Sequence, residues 1–218
     1  MSKASPIPAL FFFVLFFFLA LAAPAAEPVM RLGTRAGYRA SITSLEALEP
    51  ALQQGWEAGV SFGVESADPY SVQGAWKPVF SARILLDVYS LGASWPQSDG
   101  NLYRAWNAIG GSLLGGIRLP AFALPLVRTS ATAWLEAGAG LRTTKYTGTG
   151  LVSANAAFLA EAGLELQLSP RLSAGLRLPF EFATKAGATS AMFGIGTSIS
   201  FRLEKKAAGA KGSGGMKR

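Results

Sequence analysis

The segment from Ala157 to Phe182, AFLAEAGLELQLSPRLSAGLRLPFEF, repeats with a period of two on both sides of Ser169-Pro170. Phe158, Ala160, Ala162, Leu164, Leu166 and Leu168 hold the even positions before the turn. Leu172, Ala174, Leu176, Leu178, Phe180 and Phe182 hold them after it. The odd positions carry Glu161, Gly163, Glu165 and Gln167, then Ser173, Gly175, Arg177 and Glu181. Successive side chains of a strand point to opposite faces, so the pattern is that of β-structure with one apolar face and one polar face.

Eight segments share this alternation: 29–41, 55–65, 79–90, 107–119, 126–142, 151–168, 171–182 and 190–203. In the second, Trp56, Ala58, Val60, Phe62 and Val64 oppose Gly55, Glu57, Gly59, Ser61, Gly63 and Glu65. In the last, Phe193, Ile195, Ile199, Phe201 and Leu203 oppose Gly194, Gly196, Ser198, Ser200 and Arg202. Half of the 218 residues are hydrophobic and only 15% are charged. Yet after the N-terminus no apolar run approaches the roughly 18 residues of a membrane-spanning helix. The composition therefore fits a single domain that is either a soluble β-protein with a large core or a membrane barrel.

The charges separate these two. Arg31, Arg35, Arg39, Glu57, Glu65, Arg83, Asp87, Arg118, Arg128, Glu136, Arg142, Glu161, Glu165, Arg171, Arg177, Glu181 and Arg202 all lie on the phase opposite the apolar one. A soluble lipocalin-like barrel, charged outside and apolar within, obeys the same alternation. Two features favour the inverse arrangement. The apolar faces run over about nine to eleven residues, enough for a tilted strand to cross a bilayer. The polar faces combine Gly, Ala and Ser with Arg and Glu but no Lys, which suits a narrow interior; Lys145 and Lys185 are read as outer-loop residues. The expected fold is an all-β, eight-stranded antiparallel up-and-down transmembrane barrel with a polar, charge-filled lumen. Closure is required because hydrocarbon offers no partner to a free sheet edge. An unpaired buried charge costs several kcal/mol, so the lumen should hold an ion-pair network built from Arg177, Glu161, Glu165, Arg31, Arg35, Arg39, Glu57, Glu65, Arg83, Asp87, Arg128 and Glu136.

The hairpin around Pro170 has a definite register. Leu168 and Leu172 must share a face, so the loop is Ser169-Pro170-Arg171 and pairing is symmetric about Pro170. Glu165 then faces Gly175, Gly163 faces Arg177 and Glu161 faces Pro179, with Arg177 diagonal to both glutamates. PAFALP (Pro120 to Pro125) also reads as a tight turn. Thr43 and Glu46 fit a capping box for a short helix between the first two strands. Residues 91–106 and 143–150 read as exposed loops, so longer links fall after strands one, three and five. Only SADPYSVQGAWKP, after strand two, departs from that alternation.

Residues 1–25 have the layout of a cleaved signal peptide: Lys3, an apolar stretch from Ala9 to Ala23 and small residues before Glu27. The stretch is about 22 Å long as a helix, short of a hydrocarbon core of about 30 Å. Residues 26–203 form the barrel domain, and 204–218 a disordered basic tail rich in Gly, Ala and Lys. Cysteine and histidine are absent, which removes disulfides, Cys/His metal sites and His-based catalysis. The net charge of +7 is dispersed over strands and tail rather than gathered in a patch, so no nucleic-acid partner is expected.

The signal peptide and eight strands together resemble small bacterial outer-membrane β-barrels of the OmpA and OmpX type, by pattern rather than by family-specific sequence. Such barrels usually end in a strand read by the insertion machinery, with a Gly, two residues, a hydrophobe, one residue and an aromatic. Gly196, Ile199 and Phe201 match that spacing, although RLEKKAAGAKGSGGMKR follows. The resemblance implies a bacterial outer-membrane location, with lipid and insertion machinery as partners. It also implies a non-enzymatic structural or interaction role, with no cofactor and with an extracellular protein or glycolipid meeting the outer loops. Trp95, Tyr103 and Tyr146 are the candidate contact residues. A narrow passive channel is the alternative, opposed by the bulky inward residues Leu85, Tyr89, Leu114, Trp134, Leu159 and Met192. A soluble periplasmic binding barrel is the third reading.

Overall fold

The computed structural model describes residues 28–45, 48–71, 78–93, 105–124, 129–146, 152–185 and 188–203. Eight long strands make the wall: β1 (Val29–Leu45), β2 (Leu48–Glu65), β3 (Val79–Ala93), β4 (Ala105–Arg118), β6 (Thr129–Tyr146), β7 (Val152–Gln167), β8 (Leu172–Lys185) and β9 (Ala188–Leu203). A three-residue strand, β5 (Phe122–Leu124), pairs with the start of β6. Neighbours in sequence pair antiparallel, β1 pairs with β9, and β4 pairs with β6 to close the cylinder. The all-β, eight-stranded antiparallel barrel expected from the alternation is therefore the fold.

The registers fix the barrel's shape. From Arg31 the ladder runs through Gly63, Arg83, Leu114, Gly138, Leu159, Glu181 and Met192, and returns to β1 at Ser41, ten residues along. That stagger tilts the strands by about 40° to the axis, so each residue climbs about 2.4 Å. The β7–β8 hairpin is symmetric about Pro170: Glu165 faces Gly175, Gly163 faces Arg177 and Glu161 faces Pro179. Its loop is closed by the Leu168 N–H donating to the Leu172 carbonyl at 2.9 Å.

Every long strand shows the same inversion. Leu32, Val60, Leu86, Leu113, Leu135, Leu164, Leu178 and Ile195 stand outside, each 40% or more exposed, while arginines and glutamates are buried within. Two small apolar clusters share the lumen with those charges. One joins Tyr89, Leu91, Ala108 and Met192; the other joins Leu85, Leu114, Ala157, Leu159 and Ala183.

The ends of the elements differ from the sequence reading. No helix follows Thr43, because β1 continues to Leu45 and pairs on both sides, Thr43 with Ala51 and with Ser190. Two ladders give those peptide groups more hydrogen bonds than one marginal helical turn offers. PAFALP is not a tight turn but a ten-residue link, 119–128, carrying β5. Residues 143–146 and Lys185 belong to strands, so Lys145 and Lys185 are strand residues rather than loop residues. Links at the rim away from the termini span two, eleven, five and two residues; those at the terminal rim span thirteen, ten and four. Long and short links thus do not sort by rim, because the hairpins draw would-be loop residues into their ladders.

Candidate functional site

The lumen brings together side chains that lie far apart in sequence, because the stagger places β1 against β7 across a narrow interior. Near the terminal rim four charges close a ring. Arg31 donates to Glu65 at 2.8 Å and to Glu165 at 2.6 Å. Arg118 approaches the same two carboxylates, at 2.6 Å and 3.2 Å. Each member touches two groups of opposite sign. The hydroxyls of Ser173 and Ser200 also donate to Glu165, at 2.9 Å and 3.2 Å.

Glu161 is the hub above this ring. It accepts from Arg35 at 2.8 Å, Arg177 at 3.1 Å and Arg83 at 3.2 Å. Arg83 also pairs with Glu136 at 2.5 Å, and Glu136 accepts from Ser81 at 3.0 Å. Arg177 reaches Glu57 as well, which in turn pairs with Arg39 at 2.5 Å. Toward the far rim, Arg35 pairs with Asp87 at 2.6 Å, and Arg142 contacts Asp87 at 3.3 Å and Glu181 at 2.9 Å. The Tyr89 hydroxyl donates toward Asp87 and Glu181, both at 2.9 Å, while the guanidiniums of Arg39 and Arg142 lie 5.4 Å from its ring centre. Among the described residues seven arginines and seven carboxylates make this network, so its formal charges balance.

Of the residues named from sequence, Arg31, Arg35, Arg39, Glu57, Glu65, Arg83, Asp87, Glu136, Glu161, Glu165 and Arg177 all take part in these contacts. Arg128, Trp95 and Tyr103 lie outside the described residues, as does the side chain of Tyr146. Arg177 pairs with Glu161 but not with Glu165, whose ion-pair partners are Arg31 and Arg118. Arg118, Arg142 and Glu181 lie on the polar phase but outside the cluster expected from sequence, and the structure adds all three to it. Ile199 and Phe201 point outward together, whereas Gly196 lies inside against Arg177.

Tyr70, in the link after β2, had no signal in the sequence. Its hydroxyl donates to Glu165, at 3.1 Å to the carboxylate and 3.2 Å to the carbonyl. The Arg31 guanidinium lies 5.9 Å from its ring centre. The neighbouring Asp68 pairs with Arg202, and the Pro69 carbonyl accepts from Ala121 N–H at 2.9 Å, so this link caps the terminal mouth. Burial, with the Glu165 charge beside it, pushes the Tyr70 phenol well above the usual tyrosine range. The stabilisation that depends on a protonated phenol is complete below about pH 10 and falls as the pH rises beyond it. Tyr70→Phe should cost about 1 kcal/mol near neutral pH, read from denaturant midpoints, and should flatten the loss of stability above pH 10.

A cavity of about 30 Å³, lined by Arg31, Ser61, Glu65, Arg83, Arg118 and Glu136, has room for about two water molecules. Among the described residues no cluster of three or more acidic side chains is arranged to hold a metal ion.

No family model matches the sequence, and comparison with curated proteins gives no match. Solved structures do. The chain is similar to Ail, the attachment invasion locus protein of Yersinia pestis, at 13% identity over 78% of this chain and 98% of that one, with a TM-score of 0.40. It is similar to Neisserial surface protein A at 13% identity over 77% and 96% of the two chains, with a TM-score of 0.45. A third likeness is to the translocator domain of the autotransporter NalP from Neisseria meningitidis, at 9% identity and a TM-score of 0.26.

Proposed function

We propose that this chain is an outer-membrane barrel of the bacterial envelope whose lumen is locked by its ion pairs, so that it acts as a scaffold or interaction protein. The inverted polarity of the wall carries this reading. Apart from Thr34 and Thr197, outward residues are apolar or glycine from the terminal rim up to a level marked by Gln54, Ser90, Asn107 and Thr143, about 30 Å higher on the strand geometry above. That band matches the apolar height of about 25 Å in barrels of this class. Just inside its upper edge Tyr38, Trp56, Phe158, Phe180, Phe182 and Phe193 lie at one level, where amphipathic and aromatic rings meet headgroups. Residues 1–25, read as the export signal, and 204–218, read as a basic tail, lie outside the described residues.

The soluble-barrel reading requires an apolar interior, and the lumen is the most charged part of the described molecule. The channel reading requires a continuous aqueous path, and the Arg35–Glu161–Arg177–Glu57 cluster crosses the centre of the barrel. The chain has neither histidine nor cysteine, and every lumen carboxylate among the described residues is engaged by arginine, which speaks against acid–base catalysis there. In planar bilayers the folded protein should give no steady conductance steps. Reproducible steps would favour the channel instead, and recovery in the soluble periplasmic fraction would favour the soluble barrel.

A further inference from the structure

The aromatic band is incomplete. It covers β7, β8, β9, β1 and β2, but at the same level β3, β4 and β6 present Val88, Ile109, Gly111, Ala139 and Leu141. On that side Leu141 and Ile109 are 69% and 62% exposed, the two highest values among the exposed large apolar residues described. Leu141 stands so far out because its ladder partners are the small Gly111 and Ala156, with Ala139 two residues below it on the same face. A furrow with an aliphatic ridge results. Directly above it, Asn107 and Lys145 are ladder partners, both exposed and both on the lipid-facing phase, with Thr143 outward just below. Lys145 makes no ion pair among the described residues. An ammonium with no ion-pair partner among the described residues and an amide therefore sit at headgroup level above these small residues.

We propose that this face of β4, β6 and β7 is a docking site for an anionic, phosphate-bearing membrane lipid. Lys145 and Asn107 take the phosphate, and the Gly111–Ala139–Ala156 floor takes one acyl chain. Charge complementarity selects the occupant: a second copy of the chain would bring Lys145 against Lys145 or against a neutral wall. The site accounts for the missing aromatics, because a ring at position 111 or 139 would fill the furrow. It rests on the membrane reading given above.

The test is native mass spectrometry of the full chain released from nanodiscs of phosphatidylcholine containing one fifth phosphatidylglycerol, with folding checked by heat-dependent gel migration. The expected result is one retained phosphatidylglycerol per barrel in excess of its bulk share. Lys145→Gln should lower that excess about fivefold, the factor for removing one lysine from an anionic surface. Ala139→Phe should lower it with the charge intact, whereas Lys145→Arg and Lys185→Gln should leave it unchanged. Equal retention in all variants, a loss as large with Lys185→Gln, or a dimer in place of the lipid adduct would each overturn the site. Failure of the wild-type chain to enter nanodiscs would instead refute the membrane reading.

Discussion

Arg177→Glu should abolish the folded barrel, leaving only the slow-migrating, heat-insensitive species on gels after refolding into vesicles. Arg177 is fully buried and bridges Glu57 to Glu161, which between them also hold Arg35, Arg39 and Arg83. Removing one partner of a buried pair costs about 3–5 kcal/mol because the other charge is stranded. Reversal does more, placing a third carboxylate between two others in a dry interior. The expected penalty exceeds about 5 kcal/mol, a large part of the stability of a domain this size. Lys145→Glu, a reversal of the same charge on the outer surface, should change stability by less than about 1 kcal/mol. Similar refolding yields for the two variants would contradict the assignment of inside and outside.

The second large effect comes from packing rather than charge. Gly163→Leu should destabilise the barrel by about 3 kcal/mol or more, read from denaturant unfolding in vesicles by tryptophan fluorescence. Gly163 is the ladder partner of Trp134, and a Cβ there would lie 2.6 Å from the Trp134 ring and 2.5 Å from the Leu176 carbonyl. The ring has nowhere to retreat. The guanidiniums of Arg83 and Arg118 lie 5.5 and 5.6 Å from its centre, so a displaced Trp134 disturbs both the terminal ring and the Glu136 pair. Gly111→Ala, on the lipid side, meets the Leu86 Cδ2 at 3.4 Å and the Leu85 carbonyl at 4.0 Å, both ordinary contacts, and should be tolerated to within about 0.5 kcal/mol.

What the sequence reveals follows from which interactions are local. Alternation is a property of single strands, so the facing of the charges in the lumen network is legible; Arg171, which the same phase sends inward, is instead exposed in the hairpin loop, and Arg128 lies outside the described residues. The β7–β8 register was legible because a three-residue loop and a shared face leave one solution around Pro170. Partners across the barrel were not. Arg31 and Glu165 are 134 positions apart, and only the ten-residue stagger decides that they meet. The same stagger leads Arg177 to Glu57 rather than to the nearer Glu165. Strand ends were misread for a related reason: the Thr43–Glu46 capping signal is local, whereas the pairing of Thr43 with Ala51 and Ser190 depends on the whole cylinder. Tyr70 shows the limit most plainly, since nothing in a link of mixed composition marks a side chain that turns back to cap a buried carboxylate.

Accessibility of a nitroxide along one strand tests the inversion most directly, and a chain without cysteine allows it at any position. Single cysteines at Ala157, Phe158, Leu159, Ala160, Ala162 and Leu164, spin-labelled in vesicles, should alternate. Labels at Phe158, Ala160, Ala162 and Leu164 should collide with oxygen dissolved in lipid and ignore a water-soluble nickel complex, while those at Ala157 and Leu159 should meet neither. If the even positions relaxed with the nickel complex, the leucines and phenylalanines would face water, and the account of a lipid-facing barrel locked by its arginines would be wrong.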